Sequence, residues 1–263
     1  MDLKYLSNIN SPEDLKNYSK KDLKPISNEL REYITSTVNE IGGHLASTLG
    51  VVELTTALHY VYDAPKDKII WDTGHQAYAH KVLTGRFSSL KTIRKYKGLS
   101  GFLKRSESEY DVFGAGHAST SISAGLGIAS SRDLNNEDFK VVSIIGDGAL
   151  TGGLAYEALN NAGNAKTQLL VILNDNQMSI SPNVGAKRNY LMKISTNKYY
   201  NYIRTKIGNF PDIAYGKTFL RRIESSAKNF FLPRTIFEDL GFRYFGPIDG
   251  HDTVSYTHLT LPT

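Results

Sequence analysis

Cysteine is absent from all 263 residues, so neither a disulfide nor a thiolate metal site is available to this chain. That fits a reducing compartment. No apolar run approaches the roughly 20 residues that a helix needs to cross a bilayer. The opening stretch "MDLKYLSNINSPEDLKNYSK" lacks the apolar centre of a secretory leader. A soluble, cytoplasmic protein without a membrane partner is expected. At this length the chain can bury a full core as one large or two small domains, without covalent staples.

Acidic residues are scarce in one segment. Residues 185–235 hold eleven Lys or Arg against Asp212 and Glu224, a surplus of nine, which leaves the remainder of a +5 chain at −4. Tyr190, Tyr199, Tyr200 and Tyr202 are interleaved with these bases, a mixture that also occurs where proteins grip nucleic acid. The rest of the chain is acidic and no nucleic-acid motif accompanies the patch, so the segment is read as a solvated, mobile connection with no nucleic-acid partner.

What is present is a strand, a glycine-bearing turn and a helix, several times over. "KIIW" (68–71), "VVSII" (141–145) and "LLVIL" (169–173) are apolar without alternation, as strands covered on both faces are. Between them lie helical stretches, "GVVELTTALHYVY", "STSISAGLGIASS" and "LAYEALNNA", the last expected to close at Gly163. There is no internal repeat or low-complexity tract. The pattern predicts an α/β fold, a parallel sheet with helices on both faces.

Ligands of such sheets bind beyond the carboxyl ends of the strands. The residues there are "DTGHQ" (72–76), "GDGAL" (146–150) and "NDNQM" (174–178), joined by a fourth loop, "GAGHAST" (114–120). Asp-Gly after a strand is commonly just a turn, and "NDN" an Asx motif. The 29 residues between Asp147 and Asn176, one βα unit, change that reading. If the two strands are neighbours, their ends lie about 5 Å apart and both side chains reach one ion. Magnesium takes six oxygens at about 2.1 Å, typically one or two protein carboxylates plus water and a phosphorylated ligand. An Asp, an Asn and the carbonyl of Met178 suit it. Gly146 and Gly148 let backbone approach a diphosphate, whose charge would face the amides that open the next helix. His44 after "GG", His75 after "TG" and His117 after "GAG" converge on the same sheet edge, whereas His59, His80 and His258 are assigned no role.

These residues resemble the fingerprint of thiamine-diphosphate enzymes. The flanking text is more particular. "INSPEDLK", "GGHLASTLGVVELTTALHYVYD", "WDTGHQAYAHKVLTGR", "FGAGHASTSISAGLG", "GDGALTGGLAYEALNNAG", "NDNQMSIS" and "FEDLGFRYFGPIDGHD" together resemble the 1-deoxy-D-xylulose 5-phosphate synthase family over residues 1–252. The N-terminal part of a transketolase shares the metal fingerprint but not "WDTGHQAYAHK" or "HASTSIS".

The resemblance implies a transketolase-like diphosphate-binding domain and two cofactors, thiamine diphosphate and Mg2+. It implies that Asp147, Asn176 and the Met178 carbonyl hold the metal. Gly148 and Ala149 would touch the diphosphate, with Gly116, His117 and Ala118 as a second cofactor-contacting loop. His75 would stand near the diphosphate and reacting centre, and His44 on the substrate side, assisting proton transfer. The implied reaction joins pyruvate and glyceraldehyde 3-phosphate into 1-deoxy-D-xylulose 5-phosphate with loss of carbon dioxide, supplying precursors of isoprenoids, thiamine and pyridoxal. The complete family enzyme is expected to be a homodimer.

Three departures qualify the likeness. Ala118 stands where the family usually has serine, and Asn161 where it usually has histidine. After "GPIDGHD" the family continues into a helix and strand, then a second and a C-terminal domain. Here "TVSYTHLTLPT" (253–263) follows, and it is read as a non-family tail with both later domains absent. In the family the second domain supplies the glutamate that activates the aminopyrimidine, so this stretch alone is expected to bind cofactor weakly and turn over nothing measurable. A module that binds Mg2+ and a diphosphate without catalysis is the alternative.

Overall fold

The protein is described here from a computed structural model, over residues 3–117, 119–175, 236–245, 248–253 and 257. The chain divides into two compact units, Met1–Ser181 with Ile248–Thr263, and Pro182–Pro247.

The first unit begins with helices. Ser11 opens α1 (Pro12–Lys16) through a reciprocal capping box with Asp14, and Pro12 takes the first position, where its missing N–H costs nothing. α2 (Leu23–Ile41) is the longest helix among the described residues. Its Leu23, Ile26, Leu30, Ile34 and Val38 recur every three or four residues and are buried, so one stripe of the helix faces a core built with Leu6, Ile9, Tyr78 and Leu83. It stops at Gly42, whose φ of 77° an L side chain rarely adopts. α3 (Ala46–Leu49) and α4 (Val52–Val61) follow, the latter buried nearly all round.

Among the described residues the sheet has three parallel strands in the order β1 (Lys68–Trp71), β2 (Val141–Gly146), β3 (Leu170–Asn174). β1 is followed by α5 (Tyr78–Lys81) and α6 (Ser121–Leu134), and β2 by α7 (Gly153–Ala165). Alternate residues of β1 and β2 face opposite layers. Ile69, Trp71, Val142 and Ile144 pack on Leu54 and Leu58 of α4, whereas Ile70 and Val141 pack on Ala129 of α6. Helices therefore cover both faces, as the non-alternating runs predict. Gly125 is what brings α6 close, since a Cβ there would lie 2.2 Å from Ser143 Oγ.

Two expectations need correction. β3 is half-buried along most of its length rather than enclosed: β1, the other edge of the sheet, is covered by α6, whereas among the described residues no helix packs as extensively on β3. α7 does not close at Gly163. It runs on to Ala165 and ends at Lys166, which takes the left-handed conformation at φ 54°. Asn164 and Ala165 carry the helix past the glycine, at the cost of about 1 kcal/mol for a left-handed lysine.

Of the second unit, residues 236–245 are described. α8 (Ile236–Asp239) is one turn closed by Gly241 at φ 93°, and the Phe237 and Tyr244 rings stack at 5.8 Å. The basic segment 185–235 lies outside the described residues.

Candidate functional site

The loops beyond the strands are tied to one another by backbone. Asp72, fully buried just after β1, accepts hydrogen bonds from the amides of Ser119 (3.1 Å) and Ser121 (2.8 Å). Its charge thereby holds the first turn of α6, where unpaired amides favour an anion. Gly74 N–H donates to Gly116 O at 3.0 Å, and Thr73 bridges His117 in antiparallel fashion. Position 74 must be glycine for this closeness, as a Cβ would come within 2.4 Å of Ala115 O. Ser119 then reaches the third loop, its hydroxyl donating to Ala149 O at 2.6 Å.

This stitching assembles three imidazoles from three parts of the chain. The His44 and His75 rings stack with centroids 4.0 Å apart, and His117 lies 4.8 Å from His75 and 6.0 Å from His44. The Thr48 hydroxyl stands 2.9 Å from His44 O and 2.7 Å from His75 O, fastening α3 to the loop after β1. His75 is buried while the other two are exposed. Burial, helped by the charges His44 and His117 would carry, pushes the His75 imidazole down to about 4, so it is neutral at physiological pH. His44 is also lowered, by burial and then by Arg94 and His117.

Asp147 sits where β2 ends. Gly146 pairs with Asn174 across the strands and the Asp147 amide donates to Asn174 O at 3.1 Å, which sets Asp147 beside Asp175. Burial, and then the neighbouring Asp175 charge, push the Asp147 carboxyl up to about 6. A buried acid with an exposed one beside it favours a cation between the two. Side chains added at Gly116 or Gly146 would meet nothing within 4 Å, so open space fronts both loops. Gly148 leads into the short turn Ala149–Thr151, with α7 beginning two residues later. The donor set and this room fit a hard divalent cation with a phosphorylated ligand.

The structure thus brings together His44, His75 and His117, ties Gly116 and Ala149 to neighbouring loops, and sets Asp147 and Gly148 on the end of β2. Ala118, Asn176 and Met178 lie outside the described residues, as does His258. Sequence reasoning passed over Asp72, Thr48, Ser119 and Asp175. The signal for Asp72 was its place as the first residue after a strand, and for Asp175 its place between two asparagines after another. His59 and His80, given no role, are buried in a polar cluster with Asp111 and Arg86.

Comparison with known proteins gives the family and the fold. Residues 6–260 match a family model described as 1-deoxy-D-xylulose-5-phosphate synthase. The synthase of that name from Alkaliphilus oremlandii is 54% identical over 256 residues, covering 95% of this chain and 41% of the relative. That from Dictyoglomus turgidum is 55% identical over 251 residues, covering 94% and 41%. The chain thus spans about 40% of the length of the curated relatives it matches. Among solved structures, transketolase from Campylobacter jejuni superposes with a TM-score of 0.65 at 19% identity, over 92% of this chain and 35% of that one. Transketolase from Leishmania mexicana gives 0.63 at 18%, over 90% and 34%. At such identity these two speak for the fold, which is transketolase-like.

Proposed function

The chain belongs to the 1-deoxy-D-xylulose-5-phosphate synthase family, and from that membership we propose that it forms the diphosphate- and metal-holding part of a transferase condensing pyruvate with glyceraldehyde 3-phosphate. The products are 1-deoxy-D-xylulose 5-phosphate and carbon dioxide, and the cofactors are thiamine diphosphate and Mg2+. The observation that carries this reading is Asp147, buried at the end of β2 against Asp175 and facing a glycine-bordered space.

Asp147 would hold the metal, joined by Asn176 and the Met178 carbonyl. The backbone of Gly148 and Ala149 would meet the diphosphate, with Gly116, His117 and Ala118 opposite. The chemistry supplied by the bound cofactor is stabilisation of the carbanion left when pyruvate loses carbon dioxide. The chain's own work is positioning and proton handling. Neutral His75 has a buried Nδ1 with no hydrogen-bond partner among the described residues, a nitrogen ready to pair with a ligand. His44, stacked on it and exposed, is placed to exchange a proton with substrate. Identity of 54% to the synthases against 19% to a transketolase favours the synthase over the transketolase reading.

A cytoplasmic location and a homodimer belong to the same proposal. Among the described residues no helix is long and apolar enough to cross a membrane. The test is calorimetric titration of thiamine diphosphate into the full chain as encoded by its gene, with and without Mg2+, beside a product assay. Asp147→Ala is expected to weaken Mg2+-dependent binding by at least about tenfold. Equal affinity for the two proteins would overturn the assignment. Binding without product would leave the non-catalytic module as the better reading.

A further inference from the structure

We infer that His44, His75 and His117 form a second metal site, specific for a borderline divalent transition metal such as Zn2+ and separate in its chemistry from the oxygen ligands around Asp147. Their ligand nitrogens all lie within 4.8 Å of one another. Two nitrogens bound tetrahedrally at about 2.05 Å from zinc stand about 3.4 Å apart, so closure asks for shifts of little more than ~1 Å. His44 and His117 are exposed and can make them by rotation of their side chains.

His75 is the fixed member. It is buried, its carbonyl is held by Thr48, and the segment that carries it is bound to the 114–120 loop through Gly74 and Gly116. Its Nδ1 is a buried polar atom without a partner among the described residues. Coordination of that nitrogen to the metal would satisfy what the fold leaves unpaired.

Ligand type separates the two sites. The cluster is made of imidazoles alone, which select zinc, copper or nickel, while magnesium prefers carboxylate, carbonyl and water. Three histidines with a fourth position open to solvent is the ligand count of a catalytic zinc centre rather than a closed structural one. An inhibitory consequence follows, and it rests on the function proposed above: zinc would occupy the two imidazoles needed to hold and move protons, and chelation would restore them. The binding itself does not depend on that function.

The test is titration of the metal-stripped full chain with Zn2+ against a chromophoric chelator, in excess Mg2+. One equivalent is expected to bind. His44→Ala and His117→Ala, at exposed positions that spare the fold, should each weaken it by more than the ~10–100-fold seen when an outer partner of a metal ligand is lost. Asp147→Asn should leave Zn2+ affinity unchanged, which keeps failure of this site distinguishable from failure of the magnesium reading. X-ray absorption should report imidazole nitrogens in the zinc shell. Unaltered affinity in both histidine variants, or a shell of oxygen alone, would overturn the assignment.

Discussion

His59 Nε2 lies 2.9 Å from His80 Nδ1, and His80 Nε2 lies 3.2 Å from Asp111 Oδ1, in a row of side chains almost wholly removed from water. Because the carboxylate accepts, His80 carries its proton on Nε2 and accepts from His59 on Nδ1. His59 is then a neutral donor with its own Nδ1 bare, and no partner for that atom occurs among the described residues.

The pH dependence of stability follows from this arrangement. Burial holds His59 well below the usual imidazole range, with His80, Arg86 and Lys16 pressing the same way. Burial also lowers His80, although Asp111 opposes it. A folded pKa below the unfolded one means that the unfolded chain takes up protons which the folded chain refuses, so stability is full above about pH 6.5 and falls as pH drops. The loss attributable to His59 is on the order of 1 kcal/mol per pH unit below that point. Urea midpoints at several pH values should show the His59→Phe variant less stable than wild type near pH 8, with the difference shrinking toward pH 5. Parallel curves for the two proteins would refute the neutral, buried imidazole.

Asp111 is the keystone of the same cluster. Arg86 donates two hydrogen bonds to it, Nη1 to Oδ2 at 2.9 Å and Nη2 to Oδ1 at 2.8 Å, and the Lys104 amide adds a third at 2.9 Å. Burial alone would raise its pKa, yet His80 and Arg86 hold it well below the usual carboxylate range. Asp111→Asn keeps the shape but removes the charge opposite a buried guanidinium, and breaking such a pair costs about 3–5 kcal/mol. A fall of several degrees or more in thermal midpoint is expected. Glu107, which also contacts Arg86, is the group that would limit the damage, so Asp111→Asn with Glu107→Gln should lose more than either alone.

Asp72 predicts a local effect. Its two acceptor bonds span 47 and 49 residues of sequence and fasten the loop bearing Gly116 and His117 to the end of β1. Asp72→Ala should cost about 1–2 kcal/mol, as loss of a helix cap does. Hydrogen exchange should speed selectively at the Ser119 and Ser121 amides, while α2 and its core stay protected. Uniform loss of protection across the unit would mean that the carboxylate supports the fold rather than the loop.

These cases mark how far the sequence is legible. Apolar runs without alternation located β1 and β2, and glycine next to Asp147, His75 and His117 located the loops beyond them, because strand period and turn chemistry are local properties. Asp72 was hidden since its partners lie in another loop, and an acid after a strand looks the same whether it caps a helix or meets solvent. Asp175 was passed over in favour of its neighbour Asn176, although pairing of Gly146 with Asn174 sets it directly against Asp147. The stripe of α2 at 23, 26, 30, 34 and 38 was readable from spacing, yet it carries no chemistry and drew no notice. The end of α7 was misread because glycine marks a helix end only when the residues after it stop contributing.

Close packing between α6 and β2 gives a sharper test of why small residues fill that helix. A Cβ at Gly125 would stand 2.2 Å from Ser143 Oγ, 3.1 Å from Leu169 Cδ1 and 3.5 Å from Ser143 Cβ. The first of these contacts cannot persist, and Ser143 is held by its bond to Ser121 O at 2.9 Å, so it does not simply rotate away. Gly125→Ala is therefore expected to destabilise by about 1–3 kcal/mol, the usual cost of an overpacked core, despite the better helix propensity of alanine. Ser143→Ala removes the clashing oxygen and one hydrogen bond, a loss of about 1 kcal/mol by itself. If the clash is the cause, the double variant should be more stable than the sum of the single losses predicts, by roughly 0.5–3 kcal/mol in a double-mutant cycle. Additive losses in chemical denaturation would show that α6 yields as a rigid body instead. Displacement of its N-terminus at Ser121 would then carry into the Asp72 contact and the histidine loop.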